Sequence, residues 1–267
     1  MQSYDIAIVG GGMIGLTLAV CLSGQGMSVA VLDASEPDDK WRTVSESEAA
    51  ALRVSAISLA TEQIFRHCHV WQDIVQQRTC SYKEMDVKER DSFAHIHFTH
   101  SQVHQPYLGH IVENDRIRFS LWQKAQACEE ITLLAPCSIK SLHLQGTTNV
   151  IQLENDQLIN ARLVVGADGA QSKVRQHAGF PHTFWDYGQQ AIVATVKTEI
   201  PHHEAARQVF TSTGPLAFLP LWDEHLCSIV WSQDTDTAKS LMALSEEEFN
   251  RALSAAFDMQ LGICSLQ

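Results

Sequence analysis

The run Gly10-Gly11-Gly12-Met13-Ile14-Gly15 lies between an apolar stretch, Asp5 to Val9, and an Ala/Leu/Val-bearing stretch from Met13 to Ser23. Few folds accept that arrangement. Glycines at the first, third and sixth positions allow a tight turn from a buried strand into a helix, and they let the backbone approach a pyrophosphate. Ser28 to Leu32 reads as a second buried strand, so the chain opens with a strand-helix-strand unit. Asp33 follows at the end of that strand, 18 residues after Gly15. A carboxylate there can accept hydrogen bonds from two ribose hydroxyls and disfavours a 2′-phosphate. Gly10, Gly12, Met13, Ile14, Gly15 and Asp33 are therefore the first candidate cofactor-binding residues, with the anion at the positive end of the helix.

No charged residue interrupts Ile6 to Leu32, a pattern that could pass for a signal peptide or a membrane span. The absence of a basic residue in front of it, and glycines at 10, 11, 12, 15, 24 and 26, fit strand, turn, helix and strand better. With no export signal, a cytoplasmic location is expected, with membrane contact peripheral at most, at the inner membrane. A formal net charge of −12 without a Lys/Arg cluster argues against a nucleic-acid partner and for a small or apolar substrate. Seven cysteines, an odd number with no CxxC pair, read as reduced thiols.

Further along, Ser35 to Ala51 is polar and acidic, as a solvent-facing connection would be, and Arg53 to Phe65 has a helical pattern. Ser81 to Phe98 alternates like antiparallel strands, with Met85, Val87, Phe93, Ile96 and Phe98 as inward candidates. A helix starting near Asn114 or Asp115 places Ile117, Leu121, Trp122 and Ala125 on one face. Short strands are expected at Ile131–Leu134, Ile139–Leu144, Val150–Leu153 and Leu163–Val165. Longer ones are expected at Ala191–Thr195, Leu216–Leu221 and His225–Trp231, and a last helix from Glu246 to Phe257.

A second motif separates the nucleotides that the first could bind. Leu163-Val164-Val165-Gly166-Ala167-Asp168-Gly169-Ala170-Gln171-Ser172-Lys173-Val174-Arg175 is a strand feeding an Asp-Gly turn and a Ser-capped helix. Such a segment places a carboxylate and several N–H groups beside a ribose or phosphate. It resembles the GADGxxSxVR segment of flavoprotein aromatic hydroxylases, which implies that Asp168 and Gly169 serve FAD and nicotinamide binding. Arg53, in Leu52-Arg53-Val54-Ser55-Ala56-Ile57, is similar to that family's arginine for the flavin's phosphates or ribose. Arg118, three residues before Leu121, resembles its RxxL helix position, with Asn114 an alternative polar contact.

Trp71-Gln72-Asp73-Ile74, Gly109-His110-Ile111-Val112-Glu113-Asn114, Phe184-Trp185-Asp186-Tyr187, Ala206-Arg207-Gln208-Val209-Phe210 and Leu216-Ala217-Phe218-Leu219-Pro220-Leu221 narrow the resemblance. They look like the ubiquinone-biosynthesis hydroxylases, particularly the 2-polyprenylphenol C5-hydroxylase branch, over essentially the whole chain. The resemblance implies an α/β fold: a discontinuous FAD-binding domain of the glutathione-reductase type, at 1–70 and 106–180, with an inserted, mostly antiparallel β substrate domain at 71–105 and 181–267. It also implies an FAD-dependent monooxygenase that uses NAD(P)H and O2 to hydroxylate a lipophilic phenolic substrate, with other quinone-biosynthesis proteins as partners. The cofactor carries the hard chemistry and the protein holds the ring and excludes water.

The family pattern continues with a Gly-Asp motif and a Pro-x-x-Gly-x-Gly-x-Asn turn under the flavin ring. Neither string occurs in these 267 residues, so weak FAD retention and little turnover are expected of this segment alone. Two other readings are a flavin-dependent reductase of a prenyl substrate and a non-catalytic subunit of a quinone-synthesis assembly. A plain NAD-dependent dehydrogenase leaves Asp168-Gly169 without a role. No residue is assigned as a catalytic acid or base, and no GxSxG supports a serine hydrolase. His95, His97, His100 and His104 cluster in sequence but offer no closed metal-ligand set and read as surface residues, as does His202-His203.

Overall fold

The computed structural model describes residues 2–145 and 148–267, which divide into two compact units. The first comprises 1–43, 64–74 and 115–183, and the second 44–63, 75–114 and 184–267. Residues 44–63 and 106–114, expected in the nucleotide-binding part, thus lie in the second unit.

The chain begins with strand β1 (Gln2–Val9), helix α1 (Met13–Leu22) and strand β2 (Val29–Leu32). A connection follows in which Asp39–Arg42 forms a short 3₁₀ turn that buries Trp41, so this polar stretch is not wholly solvent-facing. Val54–Ser58 is strand β3 and Leu59–His67 helix α2. The helical pattern expected from Arg53 onward therefore fails over its first turns. Val54 and Ile57 are β-branched, and β3 pairs antiparallel with a strand more than fifty residues away, a contact that local periodicity does not encode.

Next come helix α3 (Trp71–Val75) and strands β4 (Cys80–Tyr82), β5 (Glu84–Glu89), β6 (His95–Thr99) and β7 (Gly109–Glu113). Helix α4 (Asn114–Gln126) buries Ile117, Leu121, Trp122 and Ala125, the four residues its pattern placed on one face. Strands β8 (Ile131–Leu134), β9 (Ile139–Gln145), β10 (Thr148–Leu153) and β11 (Leu158–Gly166) lead into helix α5 (Lys173–His177). The chain then forms β12 (Gln189–Thr198), β13 (Ala205–Thr211), β14 (Gly214–Pro220), β15 (Leu226–Asp234), α6 (Thr235–Met242), α7 (Glu246–Ala256) and β16 (Cys264–Leu266).

The first unit is built on a six-stranded sheet in the order β8-β2-β1-β11-β10-β9. The four strands from β8 to β11 run parallel, and β10 and β9 add an antiparallel edge. Ala7, Val9, Ala30 and Leu32 pack with Ile151, Ile159 and Val174 in its core. Each fully buried Leu, Ile or Val side chain among them contributes about 1.5–3 kcal/mol. In register, Val9 lies beside both Leu32 and Gly166. The carboxyl ends of β1, β2 and β11 therefore share one edge, where an open α/β sheet receives ligands.

The second unit holds a seven-stranded sheet, β16-β12-β15-β14-β13-β5-β6, antiparallel except for the β13–β5 pair. One face carries Val196, Leu216, Phe218 and Ile229 against Phe249, Leu253 and Phe257 of α7 and the turn after it. Phe218 and Phe257 stack with centroids 3.9 Å apart. Ser245 and Glu248 close a reciprocal cap at the start of α7, satisfying backbone donors that have no partner within the helix. A three-stranded sheet, β3-β7-β4, contributes Tyr82 and Ile111 to a cluster with Ala206 and Leu221.

The inward assignment of Ser81 to Phe98 is corrected at three residues. Met85 and Val87 are half-buried, but Phe93, Ile96 and Phe98 are exposed. The reason is position: β6 is the last strand of its sheet, and Phe93 sits in the tip of the β5–β6 hairpin. The seven cysteines are free thiols. No helix among the described residues is long and apolar enough to cross a membrane.

Candidate functional site

The loop leaving β1 is shaped by contacts that only glycine allows. Gly10 has φ +112°, and a Cβ there would lie 2.3 Å from Ala167 O. A Cβ on Gly15 would lie 1.9 Å from Gly10 O. These two glycines are fixed by the protein's own packing, because the β1 loop, the first turn of α1 and the β11 turn touch at backbone distance. At Gly12 a Cβ would meet nothing within 4 Å. Gly12 is the N-cap residue of α1, and no side chain caps that helix. The opening of α1 thus keeps its N–H groups and positive dipole end for something outside the helix. Ile14, in the same turn, is 76% exposed, and Met13 is half-buried.

Asp33 sits beside this loop. Gly11 N–H donates to its Oδ2 at 2.6 Å, and Ser35 N–H donates to Oδ1 at 3.0 Å. Arg118 reaches across from α4 and donates to Asp33 Oδ1 (3.1 Å), Gly11 O (2.9 Å) and Ser35 O (2.5 Å). The guanidinium thereby ties the glycine loop to the end of β2. Each carboxylate oxygen has two acceptor sites, so Oδ2 keeps capacity for a further donor.

On the other side, Asp168 follows the end of β11. Its Oδ2 accepts from Lys173 N–H at 2.7 Å, and Ser172 Oγ caps α5 by accepting from Arg175 N–H at 3.1 Å. Asp168 Oδ1 is buried and has no hydrogen-bond partner among the described residues. Leaving a buried carboxylate oxygen unpaired costs roughly 1–3 kcal/mol or more, which marks a place for an external donor. Gly169, next in the turn, has φ +82°.

Gly10, Gly12, Asp33, Cys137, Asp168 and Lys173 are among the residues that border one cavity of about 440 Å³. Its size suits a small-molecule ligand. Cys137 was not singled out from the sequence. It enters because its N–H donates to Asp33 O at 2.8 Å, and burial pushes its thiol above the usual range. No motif carries that signal; only the pairing of β8 beside β2 brings it there.

Arg53 and Asn114 belong to the second unit. Arg53 is exposed, its carbonyl accepts from Asn114 N–H at 3.0 Å, and Asn114 Oδ1 accepts from Ser55 Oγ at 2.6 Å. His95 and His97 lie 2.5 Å and 3.4 Å from Asp86 and Glu84 respectively. Among the described residues no three His, Cys, Asp or Glu side chains gather as a metal site. His202 is not a surface residue: it is buried, with Nε2 3.1 Å from Leu221 O and 3.0 Å from Asp223 O.

The sequence matches the FAD binding domain family over residues 3–264. It is 34% identical over 261 residues to 3-demethoxyubiquinol 3-hydroxylase of Escherichia coli (strain K12), covering 98% of this chain and 65% of that protein. Ubiquinone hydroxylase UbiL of Rhodospirillum rubrum is 33% identical, with 97% and 58% covered. The mitochondrial ubiquinone biosynthesis monooxygenase COQ6 of Homo sapiens is 31% identical, with 95% and 56% covered. The chain thus spans between half and two thirds of the length of these curated relatives. Among solved structures, Pseudomonas aeruginosa PqsL in complex with 2-aminobenzoylacetate superposes with TM-score 0.77 at 19% identity, over 100% of this chain and 73% of that one. The flavin-dependent monooxygenase PieE, solved with FAD and substrate, gives 0.70 at 14% identity, over 99% and 48%. These two likenesses show the fold.

Proposed function

The chain belongs to the FAD binding domain family, and from that premise we propose that it is the nucleotide-gripping and substrate-facing part of a flavin-dependent monooxygenase. Its substrate is the aromatic ring of a polyprenylphenol intermediate in ubiquinone biosynthesis, with NAD(P)H as reductant and O2 as oxygen source. The three curated relatives, each named for ubiquinone-pathway hydroxylation, support this reading. The observation that carries it is the unpaired Asp168 Oδ1 at a cavity also bordered by Asp33 and the uncapped start of α1.

The residues present fit FAD. The opening of α1, with Gly10, Gly12, Met13, Ile14 and Gly15, takes the pyrophosphate. Asp33 accepts from the ribose hydroxyls through the capacity left on Oδ2, while Arg118 orients that carboxylate through its hydrogen bond to Oδ1. Asp168 Oδ1 accepts a donor from the cofactor, and the Gly169 turn shapes the edge of the site. Arg53 holds a phosphate or ribose oxygen, on the family resemblance. Bound flavin supplies reduction by nicotinamide and activation of O2. The protein's share is to position the phenol, exclude water and favour its phenolate. We assign the nucleotide role to 1–70 and 106–180, and the substrate role to 71–105 and 181–267.

Incubating the protein with FAD, reduced nicotinamide, a short-chain polyprenylphenol and ¹⁸O₂ tests the proposal. Incorporation of one ¹⁸O into the ring supports it. Nicotinamide oxidation with saturation of the prenyl chain and no ¹⁸O in product contradicts it in favour of a reductase.

A further inference from the structure

Four of the thiols are matched to backbone carbonyls. Cys80 donates to Ser81 O (3.8 Å), Cys128 to Lys124 O (3.2 Å), Cys137 to Leu134 O (3.0 Å) and Cys264 to Gly262 O (3.8 Å). Cys21 and Cys68 meet each other instead, with their sulfurs 3.3 Å apart. They stand 47 residues apart in the chain, so no local turn brings them together. Both lie in the first unit, Cys21 in its segment 1–43 and Cys68 in its segment 64–74, and residues 44–63 of the chain between them belong to the second unit.

Each sulfur hangs on backbone that is fixed for other reasons. Cys21 occupies the last turn of α1, which ends with Ser23 N–H on Val20 O. Cys68 follows α2 directly, and its N–H donates to Ile64 O at 2.9 Å. His69 then turns the chain with φ +56°. Its N–H donates to Arg66 O and Val70 N–H donates to Phe65 O, both at 3.0 Å. This is a helix ending of the Schellman kind, which satisfies the last carbonyls of α2.

The two thiols are unequal. Cys68 is buried, and burial, then its contact with Cys21, push its thiol up to about 12, with Lys124 opposing. Cys21 is half-buried. An oxidant arriving from solvent therefore meets Cys21 first, because exposure governs susceptibility.

We propose that Cys21 and Cys68 are a modification site: a dithiol that a hydroperoxide converts to a disulfide joining the two segments of the first unit that flank residues 44–63. The Cys21 sulfur attacks the peroxide, the O–O bond breaks, and an alcohol or water leaves, with a sulfenic acid formed on Cys21. The Cys68 sulfur then displaces that hydroxyl. The S–S bond forms, the S–O bond breaks, and the Cys68 proton departs with the hydroxyl as water. Together the thiols lose two electrons and the peroxide gains two. Cys68 is a weak nucleophile in its buried place, and the preset approach of the two sulfurs compensates, as it does for any held pair of reactants.

The test treats the 267-residue chain with hydrogen peroxide, blocks the remaining thiols with iodoacetamide and digests with trypsin without reductant. Trypsin cuts after Lys40, Arg66 and Arg78, which leaves Cys21 alone in peptide 1–40 and Cys68 alone in peptide 67–78. Expected is a cross-linked 1–40/67–78 peptide as the main disulfide species, removed by dithiothreitol and absent in Cys21→Ser, with Cys128 and Cys137 still alkylated. Because the bond closes a long loop of the unfolded chain, the urea unfolding midpoint of the oxidised wild type is expected to rise and to return with reductant. The same treatment is expected to leave the midpoint of Cys21→Ser where it was, and Cys68→Ala covers the case in which Cys21→Ser does not fold. Sulfinic acid on Cys21 with Cys68 recovered as an alkylated thiol, disulfides shared with Cys128, or an oxidised midpoint no higher than the reduced one would overturn the proposal.

Discussion

The molecule ties down two loops with an arginine and an acid, and the two ties differ in everything but chemistry. In the first unit, Arg118 and Asp33 are about one-fifth exposed, and Asp33 lines a cavity. Asp33 holds the glycine loop while keeping acceptor capacity for a ligand. In the second unit, Arg78 and Glu113 are sealed from solvent, and the guanidinium donates to protein oxygens of Glu113, Ser45, Glu48 and Ala49. An ion pair that must share its charge with a ligand stays at the surface, where its stabilising worth is small. One that must hold a loop without exchange is buried, where losing a partner is costly.

That contrast predicts its largest effect at the buried pair. Glu113→Ala leaves the Arg78 charge without its carboxylate and is expected to destabilise the protein by about 3–5 kcal/mol, read as a shift in urea unfolding midpoint. Less than about 1 kcal/mol would mean that the site is wet and the contrast unreal. Gly15→Ala is next. Its Cβ would fall 1.9 Å from Gly10 O, so we expect a loss of about 1–3 kcal/mol together with at least tenfold weaker nucleotide binding. Wild-type binding in this variant would show that the loop can relax at no cost. Arg118→Ala should reverse the proportions: stability changes by up to about 1 kcal/mol while ADP affinity falls by roughly tenfold, about 1.4 kcal/mol. A stability loss on the scale of Glu113→Ala would erase the distinction between the two pairs.

The smallest effect is in pH dependence. Burial holds His202 below the ordinary histidine value of 6.5, with the carbonyls of Asp223 and Leu221 opposing in part. The unfolded chain therefore binds the proton more tightly than the folded one. Stability associated with this group is complete above about pH 6.5 and is lost as pH falls below it. His202→Gln should flatten that acid-side slope in a stability-against-pH series. An unchanged slope would remove His202 from the account.

Legibility followed sequence distance. The β1–α1–β2 unit could be read because its strands, turn and helix are contiguous, although the reason for Gly10 lies with Ala167 in the β11 turn. The Asp168 turn was readable on the same ground. Arg53 to Phe65 misled because the partner of β3 is β7, and strand pairing at that separation leaves no mark on periodicity. Ile96 and Phe98 alternate as a half-buried strand should, yet β6 lies at a sheet edge, and Phe93 sits in the hairpin tip before it. Strand order, which decides this, is absent from the local pattern. At the candidate site, Asp33 and Asp168 were readable but Cys137 was not, since only the packing of β8 beside β2 brings it there. Arg78 stands alone in a short connection, and nothing near it in sequence announces Glu113.

The central claim is that the first unit grips the ADP part of FAD through Asp33, Asp168 and the opening of α1. Calorimetric titration of this chain with ADP, beside Asp33→Ala and Asp168→Asn, tests it most directly. The account predicts one saturable site in the wild type, at least tenfold weaker in each variant while their unfolding midpoints stay close to it. No saturable binding, or binding that both variants leave intact, would contradict it.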